Sequence, residues 1–359
     1  MKRRYFLQGA GALVALPAQA AQSLHQRIDA EVRSAMARDK VPGCWLSLIT
    51  DGKLHYVQAY GLSSLERNIR ARRDEIIPIG SITKMFIATA MLRLTEMGLV
   101  ALEDPVSRHL PDLPHGDEIT VRQLLTHTSG LADHWPSHNN LRPEMLRDRD
   151  PKTILAEWAA KPLTLDPGTK FGYSSTGFMA AGFIIERHMH CSLFEAMRRL
   201  IFAPLGMHSV RDVDIPPAQR PLLPEGYTSR PGGGLGTPPM EGAGWKYASG
   251  QIAMSAGDLA KFNLSLLHRT LLQPASYDDM FRRQLYKDGK EFWYGLGIQS
   301  PEPHGYKALE HVGGASGYVA IDRLYPAEQV AIAVLVNADQ VTTELDLVDT
   351  IAKLVLPTR

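Results

Sequence analysis

The chain has 359 residues, more than one ordinary hydrophobic core usually serves, with 44% hydrophobic and 21% charged residues. A formal net charge of +1 implies no polyanionic partner, and the sequence holds no basic cluster with interleaved aromatics, zinc-finger spacing, phosphate loop or repeat. Two cysteines, Cys44 and Cys191, do not make a disulfide framework. They are expected to be two separate buried thiols.

The N-terminus reads as a targeting segment. Lys2-Arg3-Arg4 precedes Tyr5-Phe6-Leu7, a short apolar run from Gly9 to Leu16, and the small-x-small cleavage pattern Ala18-Gln19-Ala20. Residues 1–20 are therefore expected to be a signal peptide, of twin-arginine type from Arg3-Arg4. The mature protein would start near Ala21 and be periplasmic. The apolar run is too short to span a bilayer, so no stable membrane span is expected after its removal.

Residues 22–39 carry Leu24, Ile28, Val32 and Ala35 at helical spacing, and Pro42-Gly43 ends that pattern. Two β-rich runs, 44–50 and 54–60, flank Asp51-Gly52, a strong hairpin signal. The next stretch runs from Pro78 to Ala90 and on to Gly98, apolar and without a proline after Pro78. It predicts a helix buried on most sides, opened at Ser81. Lys84 follows three residues later, on the same face of the first turn. A lysine at the mouth of an apolar helix is desolvated, and desolvation lowers its pKa until it can accept a serine proton. Ser81 is the only serine in the chain with a lysine three places on.

Thr120-Val121-Arg122-Gln123 is a capping box for a short helix ending at Gly130. Pro167-Gly168 turns the chain toward Tyr173-Ser174-Ser175, at the start of a helix with Phe178, Ala181, Gly182 and Ile185 on one face. Residues 214–245 are rich in Pro and Gly, including Gly232-Gly233-Gly234, and read as an irregular loop of the kind used as a lid or specificity wall. Ser255 caps a helix through Leu259 and Phe262 to Leu267. Strand patterns return at 292–298, 307–312, 317–324 and 329–336. A closing helix at 344–355 turns Leu345, Val348, Ala352 and Val355 inward. Strands at both ends with helices between imply an α/β fold of the α+β type. An antiparallel sheet is built from both termini and flanked by helices. The expected division is an α/β sheet domain of 21–78 plus 286–359 and a mostly helical domain of 79–285.

Three pieces line up in order: Ser81-Ile82-Thr83-Lys84, Tyr173-Ser174-Ser175, and His311-Val312-Gly313-Gly314 in a strand pattern. Together they resemble the three motifs of the penicillin-recognising serine hydrolases, namely Ser-x-x-Lys, Tyr-x-Asn and a Lys/His-x-Gly strand. That family holds class C β-lactamases, D-alanyl-D-alanine carboxypeptidases, D-aminopeptidases and related esterases. Leu124-Leu125-Thr126-His127-Thr128-Ser129-Gly130, Ser255-Ala256-Gly257-Asp258-Leu259 and Tyr294-Gly295-Leu296-Gly297 are similar to further family stretches. The resemblance implies a serine β-lactamase-like fold. It also implies roles. Ser81 would form an acyl-enzyme and Lys84 would take its proton. Tyr173 would serve the leaving group and then the water, its pKa held down by nearby cations such as Lys84. The N–H groups of Ser81 and Gly314 would form the oxyanion hole, with Gly313 letting substrate approach the strand.

Two positions depart from the family pattern. Ser175 stands where asparagine is usual, with shorter reach toward Lys84 and a substrate amide. His311 replaces the lysine that faces substrate carboxylates, and a histidine is mostly neutral near pH 7. Both departures point away from strong β-lactam hydrolysis and toward small esters or amides. A D-aminopeptidase or carboxypeptidase with weak β-lactam acylation is the second reading, and a non-catalytic binding protein of the same fold is the third. No cofactor is implied. His188 and His190 beside Cys191, and His134 with His138, lack a third ligand at a recognisable spacing, so no metal site is expected. The expected partner is a small ester, amide or peptide substrate.

Overall fold

The structure, a computed structural model, describes residues 23–136, 141–230 and 232–357. Residues 1–20, expected to be a signal peptide, and His138 lie outside the described residues. Helix α1 (Leu24–Asp39) opens on Ser23, whose hydroxyl accepts the Gln26 N–H while the Gln26 side chain returns to the Ser23 N–H. Strands β1 (Gly43–Thr50) and β2 (Lys53–Ser64) form the hairpin signalled by Asp51-Gly52. Both turn residues have positive φ, 51° and 66°, as a two-residue turn matching the strand twist requires. The short β3 (Ile69–Arg70) pairs with β2.

The other half of the sheet comes from the far end of the chain, as β11 (Leu309–Ala315), β12 (Tyr318–Tyr325) and β13 (Val330–Val336). The antiparallel order is β11-β12-β13-β1-β2-β3, with Leu46 opposite Val334 where the two chain ends meet. β13 is apolar throughout because both of its faces are buried. Ile332 and Val334 pack with Ile28 and Val32 of α1 and with Val348 and Ile351 of α9 (Thr343–Val355). Ala331, Ala333 and Leu335 point the other way. There they join a core with Trp45, Phe86 of α2 (Thr83–Glu96) and Phe262 of α7 (Ala256–His268). The Phe86 and Phe262 rings stack at 4.0 Å.

Helical elements and long loops fill the chain between. The capping box at Thr120 is formed and starts α3 (Val121–Leu125). α4 (Pro151–Ala159) follows, then α5 (Ser175–Met189), capped by the Ser174 hydroxyl, and α6 (Leu193–Met197). Ser255 caps α7 as its sequence suggests, and α8 (Pro274–Phe281) comes after it. A small second sheet sets β8 (Ile252–Met254) between β4 (Ile77–Pro78) and β5 (Arg211–Asp212). Among the described residues no helix is long and apolar enough to cross a membrane.

Three expectations need correction. The 292–298 run is not a strand. Glu291–Phe292 (β10) pairs with Gln284–Leu285 (β9), and beyond it the chain turns back between Tyr294 and Gln299, which form an isolated bridge. The 214–245 loop is not wholly irregular, since β6 (Thr228–Ser229) and β7 (Leu235–Gly236) make a hairpin. Nor is it a loose excursion. Glu225 N–H donates to Ser63 O at 2.7 Å, Tyr318 Oη to Pro224 O at 2.5 Å, and Asp339 N–H to Tyr227 O at 2.9 Å. Cys44 is buried as expected, but Cys191 is only half-buried, and both thiols are free.

Candidate active site

The site is assembled where the Ser81 turn meets the edge strand β11. β4 delivers the chain beside β8, with Ile79 N–H donating to Ile252 O at 3.0 Å. A single 3-10 turn, Gly80–Ile82, then leads into α2. Two glycines make the approach of β11 possible. Gly80 has φ +50°, and a Cβ there would lie 2.4 Å from Gly314 O. A Cβ on Gly313 would lie 1.9 Å from Ile79 O and 3.2 Å from Ser81 N. Any side chain at either position would push the strand off the turn. The Ser81 and Gly314 backbones are thereby brought together, as an oxyanion hole built from their N–H groups would need.

Eleven of the 14 residues of α2 are buried, so Lys84 in its first turn has nowhere wet to go. Its relative exposure is 0%. Nζ donates to Ser81 Oγ at 3.1 Å and to the Ser249 carbonyl at 2.9 Å, both neutral acceptors. Burial pulls its pKa down from 10.5 to about 7, against an opposing pull from the Asp133 carboxylate. Near neutral pH a large share of the molecules therefore carry Lys84 as a free amine, able to accept a proton from the serine it touches.

Tyr173 approaches from the segment that enters α5. Its Oη donates to Ser81 Oγ at 2.8 Å. The expected lowering of its pKa is not found. Burial of the hydroxyl pushes it up, more than the hydrogen bond to Ser81 pulls it down. Desolvation is the dominant influence, and the Asp133 charge adds to it. Tyr173 is thus a neutral phenol at rest, able to pass a proton on rather than hold a negative charge.

His127 holds that phenol in place. Its Nδ1 accepts the Ser174 N–H at 3.0 Å, and its ring stacks on Tyr173 at 4.1 Å with 28° between the planes. Burial, then the Lys84 charge, keep its pKa well below the ordinary histidine value.

His311 and Ser175 are placed differently from a simple substrate-facing pair. His311 is 1% exposed. Its Nδ1–H donates to Val312 O at 2.8 Å and its Nε2 accepts from Tyr294 Oη at 3.0 Å. With both nitrogens engaged and burial lowering its pKa to about 3, it is neutral and directed into the protein rather than at a substrate carboxylate. Ser175 is buried, and its N–H donates to Asp133 Oδ1 at 2.9 Å. Lys84 Nζ has its second acceptor in Ser249 O. Ser249 and Asp133 were not picked out from sequence. A buried lysine demands a second acceptor, but nothing in the chain order says which carbonyl supplies it.

Among the described residues no three His, Cys, Asp or Glu side chains come together as a metal site. His134 bonds Trp245 O at 2.9 Å, and His188 bonds His109 at 2.9 Å. The arrangement as a whole offers a hydroxyl flanked by an amine and a phenol beside a glycine-lined strand edge. Such a set can generate an alkoxide, deliver it to a carbonyl, and return the proton to a departing group.

Comparison with known proteins places the chain among relatives of known fold. Residues 28–356 match the Beta-lactamase family model. The chain is 31% identical over 252 residues to esterase EstB of Burkholderia gladioli, covering 65% of this chain and 64% of that one. It is 28% identical over 251 residues to the putative penicillin-binding protein PbpX of Bacillus subtilis, covering 70% and 60%. The match thus spans less than two thirds of the length of either relative. A D-stereospecific amidohydrolase from Streptomyces sp. superposes with a TM-score of 0.76 at 25% identity, covering 89% of this chain and 97% of that one.

Proposed function

The chain belongs to the beta-lactamase family, and from that premise we propose that it is an exported serine hydrolase that forms an acyl-enzyme on Ser81 and cleaves small neutral esters or amides. One observation carries the reading. Ser81 Oγ is held at 3.1 Å from a buried amine whose pKa is brought down to about 7 and at 2.8 Å from a neutral phenol. Export is inferred from the Lys2-Arg3-Arg4 segment and the cleavage pattern at Ala18-Gln19-Ala20.

The steps follow from those distances. Neutral Lys84 takes the Ser81 proton as Oγ bonds to the substrate carbonyl carbon. The N–H groups of Ser81 and Gly314 receive the developing oxyanion. Collapse breaks the ester C–O or amide C–N bond. The leaving group gains a proton from Tyr173, which is reprotonated from the Lys84 ammonium. Water then attacks the acyl carbon while neutral Lys84 takes up its proton, relayed through Tyr173. Collapse breaks the acyl C–Oγ bond, the proton held by Lys84 passes to Ser81 Oγ, and the acid is released.

Ester cleavage is preferred over carboxypeptidase or β-lactam chemistry because the third motif supplies no cation. His311 is neutral and both of its nitrogens are engaged. An amidase reading stays second, supported by the likeness to the Streptomyces amidohydrolase. The test is an acyl-donor panel: a short-chain nitrophenyl ester, a D-alanyl nitroanilide and a fluorescent penicillin, with adducts read by intact mass. Ester turnover with an adduct on Ser81 and none from penicillin is the expected result. Ser81→Ala should lose both turnover and adduct while staying folded. Wild-type turnover in that variant would sink the assignment.

A further inference from the structure

The site described so far says how a bond breaks and little about what holds the substrate. Trp293 is unusual among the described tryptophans in being 44% exposed. It is not a stray surface ring. It packs on Phe171 at 5.0 Å and meets Tyr294 edge-on at 5.6 Å. Phe171 and Tyr294 both contact His127, at 5.6 and 5.1 Å, and His127 carries the stacked Tyr173. A continuous set of rings therefore runs from the hydroxyl that touches Ser81 to an exposed indole. At the two ends of the set, Tyr173 and Trp293 are each more than a third exposed.

This set is rigidly supported. Tyr294 is fixed by His311 through its hydroxyl and by its carbonyl, which accepts the Gln284 N–H at 3.0 Å. The Trp293 carbonyl accepts the Ser300 N–H at 2.7 Å. Phe292 stacks on Tyr286 at 4.4 Å with 10° between the planes and backs Phe171 at 6.4 Å. Exposed aromatic surface held this firmly favours an apolar or aromatic ligand, because little side-chain freedom is lost when it is covered. Its histidines are neutral, so the set offers no charge to attract a carboxylate.

We propose that Trp293, with Phe171 and the exposed part of Tyr173, forms a subsite for the leaving group, so that the preferred substrates are esters of bulky aromatic or polycyclic alcohols. The inference rests on the hydrolase reading above. The side is assigned by Tyr173, which donates to the departing oxygen, since the rings extend from Tyr173 outward. Trp293 touches no reacting atom. Its effect is on substrate binding.

The experiment keeps the acyl group and the alcohol acidity constant. Ethyl acetate and 2-(2-naphthyl)ethyl acetate are compared with the full mature chain. Wild type is expected to favour the naphthyl ester at least tenfold in kcat/KM. Trp293→Ala should lower that ratio about tenfold, chiefly by raising KM for the naphthyl ester, and Trp293→Phe should restore part of it. Thermal unfolding of each variant checks that the fold is intact. A ratio unchanged in Trp293→Ala, or a wild type without the naphthyl preference, overturns the subsite while leaving the hydrolase reading standing. Failure of wild type to cleave either ester overturns both.

Discussion

Among the described residues two lysines are buried, and they have opposite surroundings. Lys84 is 0% exposed and hydrogen-bonds a hydroxyl and a backbone carbonyl. Lys246 is 4% exposed and forms an ion pair with the buried carboxylate of Glu241, which Ser316 Oγ also contacts at 2.8 Å. Burial alone would push Glu241 up, but the charge and hydrogen bond of Lys246 outweigh it and hold the carboxyl below its usual range. The same residue type, removed from water to nearly the same degree, becomes a reactive amine in one region and a structural cation in the other. What differs is whether a carboxylate stands within bonding distance. The first arrangement is costly for the fold and useful for chemistry. The second anchors Glu241, whose carboxylate ties its segment to Ser316 in the β11–β12 turn.

The sharpest way to break this contrast is to remove each amine. Lys84→Met should lower kcat/KM for a neutral ester by about three orders of magnitude or more, since the serine loses its proton acceptor. Its effect on stability should have the other sign. A lysine whose folded pKa is about 7 against 10.5 binds fewer protons than the unfolded chain between those values, so at pH 7 it costs stability. The unfolding midpoint of Lys84→Met at pH 7 should therefore be unchanged or higher. A clear fall would mean that Lys84 is structural after all.

Lys246→Met should do the reverse. It strands Glu241 as a buried unpaired charge, a loss of about 3–5 kcal/mol in denaturant unfolding. Replacing both partners, as Glu241→Leu with Lys246→Met, should recover much of that loss. If Lys246→Met were as stable as wild type, the pair would not be the fastening that its geometry indicates.

The same contrast explains what could be read from the sequence. Local signals came through intact: the Asp51-Gly52 hairpin, the caps at Thr120 and Ser255, and the apolar run of β13 are decided by neighbours in the chain. The motif residues were legible because Ser81 and Lys84 share one helical turn. The desolvation of Lys84 followed from the apolar residues around it. What was missed is long-range. Ser249, which receives the second hydrogen bond of Lys84, lies 165 residues away. Asp133, which holds the Ser175 N–H, sits 42 residues from it. The lowered tyrosine pKa failed for a related reason. It counted a nearby cation and overlooked the burial of the phenol hydroxyl by groups distant in the chain, which pushes its pKa up. The 292–298 run failed because the chain folds back on itself, with Gly295 N–H donating to Ile298 O at 2.7 Å, while the Tyr294 hydroxyl bonds His311.

The claim on which the account rests is that Lys84 works as a neutral amine near pH 7. It is tested most directly by the pH dependence of kcat/KM for an ester that has no titratable group. Lys84 is protonated below its pKa and cannot accept the Ser81 proton, so activity should be lost as pH falls through about 7 and should level off above it. A rate that stays flat from about pH 5 to 9, or that rises only near the ordinary lysine pKa, would contradict the account.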